Sequence, residues 1–137
     1  MEFTKSNWRR AVEQAVPDPK VGIRIARLCG DDRFGLYVAS VPDRVGCHVH
    51  FHGSETYEIV EGNGELHLGF VPGRGHEGPI EWRKPQPVEA GDVFLIEEGF
   101  AHQLRNKGEG DLVIIFGCPP SHLDNHLDRR MIEPPTD

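Results

Sequence analysis

From residue 21 onward the chain is written in short alternating segments, each closed by glycine or proline. "VGIRIARLCG" sets Val21, Ile23 and Ile25 against Arg24, the two-residue period of a half-buried strand. "RFGLYVASVP" follows after a Gly30-Asp31-Asp32 turn, and "GCHVHFH", "TYEIVEG", "ELHLGFV", "DVFLIEEG", "AHQLRNKG" and "DLVIIFGC" continue the pattern. Asn63-Gly64, between "TYEIVEG" and "ELHLGFV", is a strong signal for a tight hairpin. With 16 glycines and 11 prolines in 137 residues, the pattern predicts roughly eight or more short strands in a small antiparallel barrel or jelly roll.

A short helix is expected at each end. The first covers about residues 5–16, capped by Thr4 or Ser6, striped with Trp8, Val12 and Ala15, and stopped by Pro17 and Pro19. The second covers about 121–130, opened by Pro119-Pro120 and a Ser121/Asp124 capping box. The closing "EPPTD" is expected to be loose. The reading is one domain over residues 1–137, with the barrel over about 20–118.

The formal charge of −7 and the pI near 5.6 disfavour nucleic acid and anionic lipid as partners. No apolar run approaches the roughly 20 residues of a spanning helix, so no membrane role is expected. "MEFTKSNWRRAVEQAV" lacks the apolar block of a signal peptide, and Cys29, Cys47 and Cys118 form no C-x-x-C pair. The expectation is a cytoplasmic protein with reduced thiols and a small-molecule substrate.

"HVHFHGSETYEIVEG" carries the chemistry. His48, His50 and His52 share parity, so on one strand they face one way at about 6.6 Å intervals. Two neighbours can lean onto one ion. Glu55 has the opposite parity, but Gly53-Ser54 permits a bulge or turn that resets the alternation. A barrel interior burying so many titratable groups is destabilised without a cation to pair them.

These residues resemble the cupin family. His48, His50, Glu55 and Gly62 fit its first motif, His-x-His, four residues, Glu, six residues, Gly. "GDVFLIEEGFAHQLRN" matches the second from Gly91 through Gly99 and His102 to Asn106, with Glu97 where proline is usual. The glycine expected upstream of the first motif falls on Pro42, and 28 residues separate the two motifs. The resemblance implies an all-β double-stranded β-helix (jelly-roll) barrel with short flanking helices. It also implies a divalent transition metal (Fe, Mn, Ni, Zn or Cu) held by His48, His50, Glu55 and His102, with open positions for oxygen or substrate. Homodimerisation is implied as well. The family hosts dioxygenases using Fe(II) or a similar metal, Lewis-acid isomerases, lyases and decarboxylases acting on sugar or keto acids, and non-catalytic binding modules. Three histidines with a glutamate resemble the cupin dioxygenases, and that resemblance leans the expectation toward oxygen chemistry.

Three further residues are candidates for catalysis. His52 is the spare histidine, either a strand-end residue or a proton-transfer group or substitute ligand. An alternative frame uses His50 and His52 with Glu58, but misplaces Gly62. Tyr57 shares parity with Glu55, and Glu97 precedes the turn presenting His102. Arg33 and Arg105 are candidate carboxylate clamps, with the surface the commoner place for arginine and the expected one here. His67 is expected to face outward between two leucines. His122 and His126, with Asp124 and Asp128, are expected on a solvated helix face, and His76 carries no signal.

Overall fold

The computed structural model describes residues 3–73, 79–124 and 128–136. In chain order the elements are α1 (Trp8–Glu13), β1 (Val16–Asp18), β2 (Ile23–Gly30), β3 (Gly35–Val41), β4 (His48–His50), β5 (Glu55–Glu61) and β6 (Asn63–Phe70). They continue with β7 (Glu81–Trp82), β8 (Gln86–Glu89), β9 (Val93–Ile96), β10 (Phe100–Asn106), β11 (Leu112–Cys118), α2 (Ser121–Asp124) and β12 (Arg129–Met131). Two antiparallel sheets result. One runs β1-β2-β3-β11-β5-β9; the other runs β12-β4-β10-β6-β7, with β8 also on β6. This is the expected double-stranded β-helix, with short helices.

The period-two pattern decides what lies between the sheets. In β5, Glu55, Tyr57 and Ile59 are buried while Thr56 and Glu58 are exposed. Ile59, Leu104, Leu112 and Ile114 are almost wholly buried in one core. Each such side chain contributes about 1.5–3 kcal/mol relative to exposure.

The Asn63-Gly64 hairpin does not form. β5 and β6 lie in different sheets, and the turn is a corner made at Gly62, whose φ is +94°. A Cβ there would approach the Asp111 carbonyl to 2.9 Å, so the corner needs glycine for conformation and for room. Strands that switch sheets at a bend use the same turn residues as a hairpin.

Both helices are shorter than expected. Asn7 caps α1 by accepting from the Arg9 and Arg10 amides, while the Ser6 hydroxyl donates to the Leu28 carbonyl. The helix ends before residue 16 because Val16–Asp18 pair with Ile23–Ile25. Beyond α2, Arg129–Met131 form a strand, not helix, because they find hydrogen-bonding partners in His48–His50. His76 and His126 lie outside the described residues.

The segment after β12 is anchored. The Ile132 amide donates to the Cys47 carbonyl, and Arg105 Nη2 donates to the Pro135 carbonyl at 3.0 Å. Arg105 is therefore buried, contrary to the expected surface position, with its Nε donating to Gln103 Oε1 at 2.8 Å. His67 does face away from the core between its leucines, yet it is also buried and pairs with Glu65 at 2.7 Å.

Candidate metal centre

β4 and β10 are neighbours, and their register sets His102 directly opposite His48. His50 stands two residues along β4 on the same face. Gly53, at φ +85°, turns the chain between β4 and β5. Glu55 then enters on the buried face, as the alternation reset at Gly53-Ser54 predicts. His48, His50, Glu55 and His102 are each at most 5% exposed. Ring centroids are 4.9 Å apart for His48 and His50, 4.3 Å for His48 and His102, and 6.1 Å for His50 and His102. Glu55 lies 3.3 Å from His50 Nε2 and 4.0 Å from His102 Nε2.

The tautomers follow from the backbone. His48 Nδ1 donates to the Gly46 carbonyl at 2.6 Å, and His102 Nδ1 to the Phe100 carbonyl at 3.1 Å. A carbonyl only accepts, so each Nδ1 carries the proton. Burial, then the charges of His102 and His50, hold the His48 pKa well below 6.5; burial likewise lowers His102. Neutral rings with Nδ1 protonated leave the Nε2 lone pairs free. His102 Nε2 is buried and has no hydrogen-bond partner. An orphaned imidazole nitrogen beside two more imidazoles and a carboxylate fits a divalent transition metal.

Burial would raise the Glu55 pKa, but the His122 hydrogen bond and the charges of His102, His122 and His48 outweigh it and lower it. Burial, followed by the Glu55 charge and a hydrogen bond to Glu55, pushes the Tyr57 hydroxyl well above 10. Tyr57 therefore stays protonated. Its ring stacks between Phe94 and Phe116 at 5.4 and 5.8 Å.

His52 and Glu97 stand apart from this cluster. The His52 side chain is 62% exposed, and its Nδ1 donates to Asp128 Oδ1 at 2.8 Å. With Glu58 exposed as well, the alternative frame has no common face. Ile96 points inward, so Glu97 by alternation points out. It lines a separate cleft of about 130 Å³ with Leu68, Arg83, Leu95 and Phe100. Its neighbour Glu98 accepts the Gly53 amide at 2.8 Å and so braces the turn before Glu55.

His122 and Asp128 do not form the expected solvated face. They are 1% and 4% exposed. His122 Nδ1 meets Glu55 Oε2 at 2.6 Å, and its Nε2 donates to the His52 carbonyl. Burial alone would lower the His122 pKa; its bonds to Glu55 and the His52 carbonyl and the Asp128 charge raise it instead. Asp128 Oδ2 lies 3.3 Å from His50 Nδ1 and 3.6 Å from His122 Nε2. Among the described residues, His50/His122/Asp128 and Glu55/Cys118/His122 bring ligand atoms within 4.8 Å of one another. Nothing local in the sequence announces this, because the contacts join residues about 70 positions apart. A cavity of about 30 Å³ lies between His48, His50, Glu55 and His122, the apolar side chains of Val21, Ile23 and Val45, and Arg129.

No protein-family model and no curated protein matches the chain. Solved structures do. A Klebsiella pneumoniae protein with a double-stranded β-helix domain is 18% identical over 97% of this chain and 100% of its own, with a TM-score of 0.68. A predicted oxalate decarboxylase from Thermotoga maritima is 25% identical over 71% of this chain and 79% of its own, at 0.55. The cupin domain of Schizosaccharomyces pombe Cnp3 is 15% identical over 77% and 69%, also at 0.55.

Proposed function

Because the chain is a cupin by fold, we propose that it is a metal-dependent enzyme acting on a small polar molecule, with His48, His50, Glu55 and His102 holding a divalent transition metal. The buried, unpartnered His102 Nε2, facing the same interior as the other three, carries this reading. When bound, such an ion supplies Lewis acidity and open coordination positions. The protein's own residues orient and exclude. Tyr57 keeps its proton and points it at Glu55, Glu98 braces the turn, and apolar side chains keep the cavity small. His52 connects Asp128 to solvent, and Glu97 with Arg83 offers a polar cleft outside the core.

Oxidation with O2 is the leading chemistry, since three histidines with a glutamate resemble the cupin dioxygenases and the cavity suits a very small partner. The Arg129 side chain on the cavity wall favours a second reading, Lewis-acid decarboxylation, lyase or isomerase chemistry on a small carboxylic acid such as a sugar or keto acid. The likeness to a predicted oxalate decarboxylase points the same way. A ligand-binding module without turnover is the third. The test is Fe(II) loading without air, followed by an oxygen electrode with catechols, diketones and thiols, and by product analysis with sugar and keto acids. Oxygen uptake supports the first reading, acid turnover without uptake the second, and binding without turnover the third.

Metal binding is measured separately. Saturating metal at a hundredfold excess over Kd is expected to stabilise the fold by about 2.7 kcal/mol in urea. His102→Ala is expected to weaken binding by more than the roughly 10–100-fold typical of outer partners. Wild-type protein that takes up no Fe(II), Mn(II), Co(II) or Zn(II) would end the proposal. The reading also includes a homodimer through the β9 sheet edge, where Val93 and Leu95 are 70% and 53% exposed. Light scattering of wild type and Leu95→Lys checks it, with a monomeric wild type as the contrary result.

A further inference from the structure

We propose that Asp128 and His122 are positioning residues of the metal centre, Asp128 fixing the orientation of His50 and His122 fixing that of Glu55. The proposal rests on the metal-centre reading above and adds residues outside both sequence motifs.

Each of the three imidazoles has an acceptor behind its Nδ1. For His48 it is the Gly46 carbonyl and for His102 the Phe100 carbonyl. For His50 the group in that place is Asp128 Oδ2, 3.3 Å away. The Asp128 carboxylate is held by its other oxygen, which accepts the Phe51 amide at 3.3 Å and His52 Nδ1 at 2.8 Å. Oδ2 is thereby turned toward His50. The 3.3 Å approach is poorly aligned, so Oδ2 and His50 Nδ1 both remain buried without a hydrogen-bond partner. His50 can offer Nε2 to an ion only with its proton on Nδ1, and Asp128 is the acceptor placed to hold it there. The pairing of Arg129 with His50 in the β12–β4 ladder fixes this relation through the backbone.

His122 acts on the fourth ligand. Its ring is pinned between the His52 carbonyl and Glu55 Oε2, so the carboxylate cannot rotate freely. A second ion shared by His50, His122 and Asp128 does not fit as well. The His50 and His122 rings are stacked, 3.9 Å apart and 2° from parallel. Their in-plane lone pairs lie in two separate parallel planes and do not converge.

The experiment uses the full chain and Co(II), titrated by its visible absorption, with Cu(II) electron paramagnetic resonance as a second readout. Asp128→Ala and His122→Ala are each expected to weaken Co(II) binding about 10–100-fold and to change the spectrum at saturation. Asp128→Asn keeps an acceptor oxygen, and His122→Asn keeps a donor for Glu55; each is expected to recover part of the loss. These milder variants also serve if an alanine variant fails to fold. Wild-type affinity and spectra in the variants, even with reduced stability in urea, would mean a merely structural role and overturn the proposal. A wild type that binds no Co(II) overturns the metal-centre reading instead, so the two failures are distinguishable.

Discussion

Burial sets the character of individual side chains more than their identity does. Cys47, just before β4, is buried, and burial pushes its thiol up to about 12; burial, with Glu55 alongside, also raises Cys118. Cys29 is exposed. At pH 8 one thiol per chain is therefore expected to react quickly with Ellman's reagent, and all three only after denaturation. The histidines give a pH signature. His48, His50 and His102 have folded pKa values below 6.5, His50 at about 3. As pH falls the unfolded chain takes up those protons first, so their contribution is full above about pH 6.5 and is lost progressively below it. His122 runs the other way: its value is raised, and its contribution is present below 6.5 and fades as pH rises through the folded value. Protein stripped of metal by chelation is expected to lose urea stability from pH 6.5 toward pH 4. Each of the three histidines steepens the slope by up to about 1.4 kcal/mol per pH unit. Stability unchanged over that range would contradict the neutral, buried assignment.

At the scale of elements, glycine decides where strands turn. Gly62→Ala is expected to destabilise by about 1–3 kcal/mol in urea, because it combines positive φ with a carbonyl contact at 2.9 Å. Gly91 also has positive φ but nothing within 4 Å of a Cβ, so Gly91→Ala should cost less. The comparison separates crowding from backbone strain. The long strands were legible from alternation, and the grouping of His48, His50, Glu55 and His102 from motif spacing with the parity reset at Gly53; the short β1, β8 and β12 were not. The corner at Gly62 was not, because Asn63-Gly64 has the same chemistry in a hairpin as at a bend between sheets. Nor was the end of the second helix. Helical spacing makes His122 and Asp128 look like one wet face, whereas a backbone partner on β4, remote in sequence, draws residues 129–131 into a strand. The burial of Arg105 escapes the sequence for a related reason: its partner is the Pro135 carbonyl, which no local pattern reveals.

For the molecule as a whole, the two sheets put the candidate ligands inside rather than at an edge, and among the described residues no helix is long and apolar enough to cross a membrane. The cavity of about 30 Å³ beside them has room for an ion and a small bound group. Pairing of Arg129–Met131 with His48–His50 has a consequence for biosynthesis. His48–His50 precede Arg129–Met131 by about 80 positions, so a nascent chain displays β4 with one edge still unzipped. The strand bearing two of the four candidate ligands is thus among the last to gain both of its neighbours.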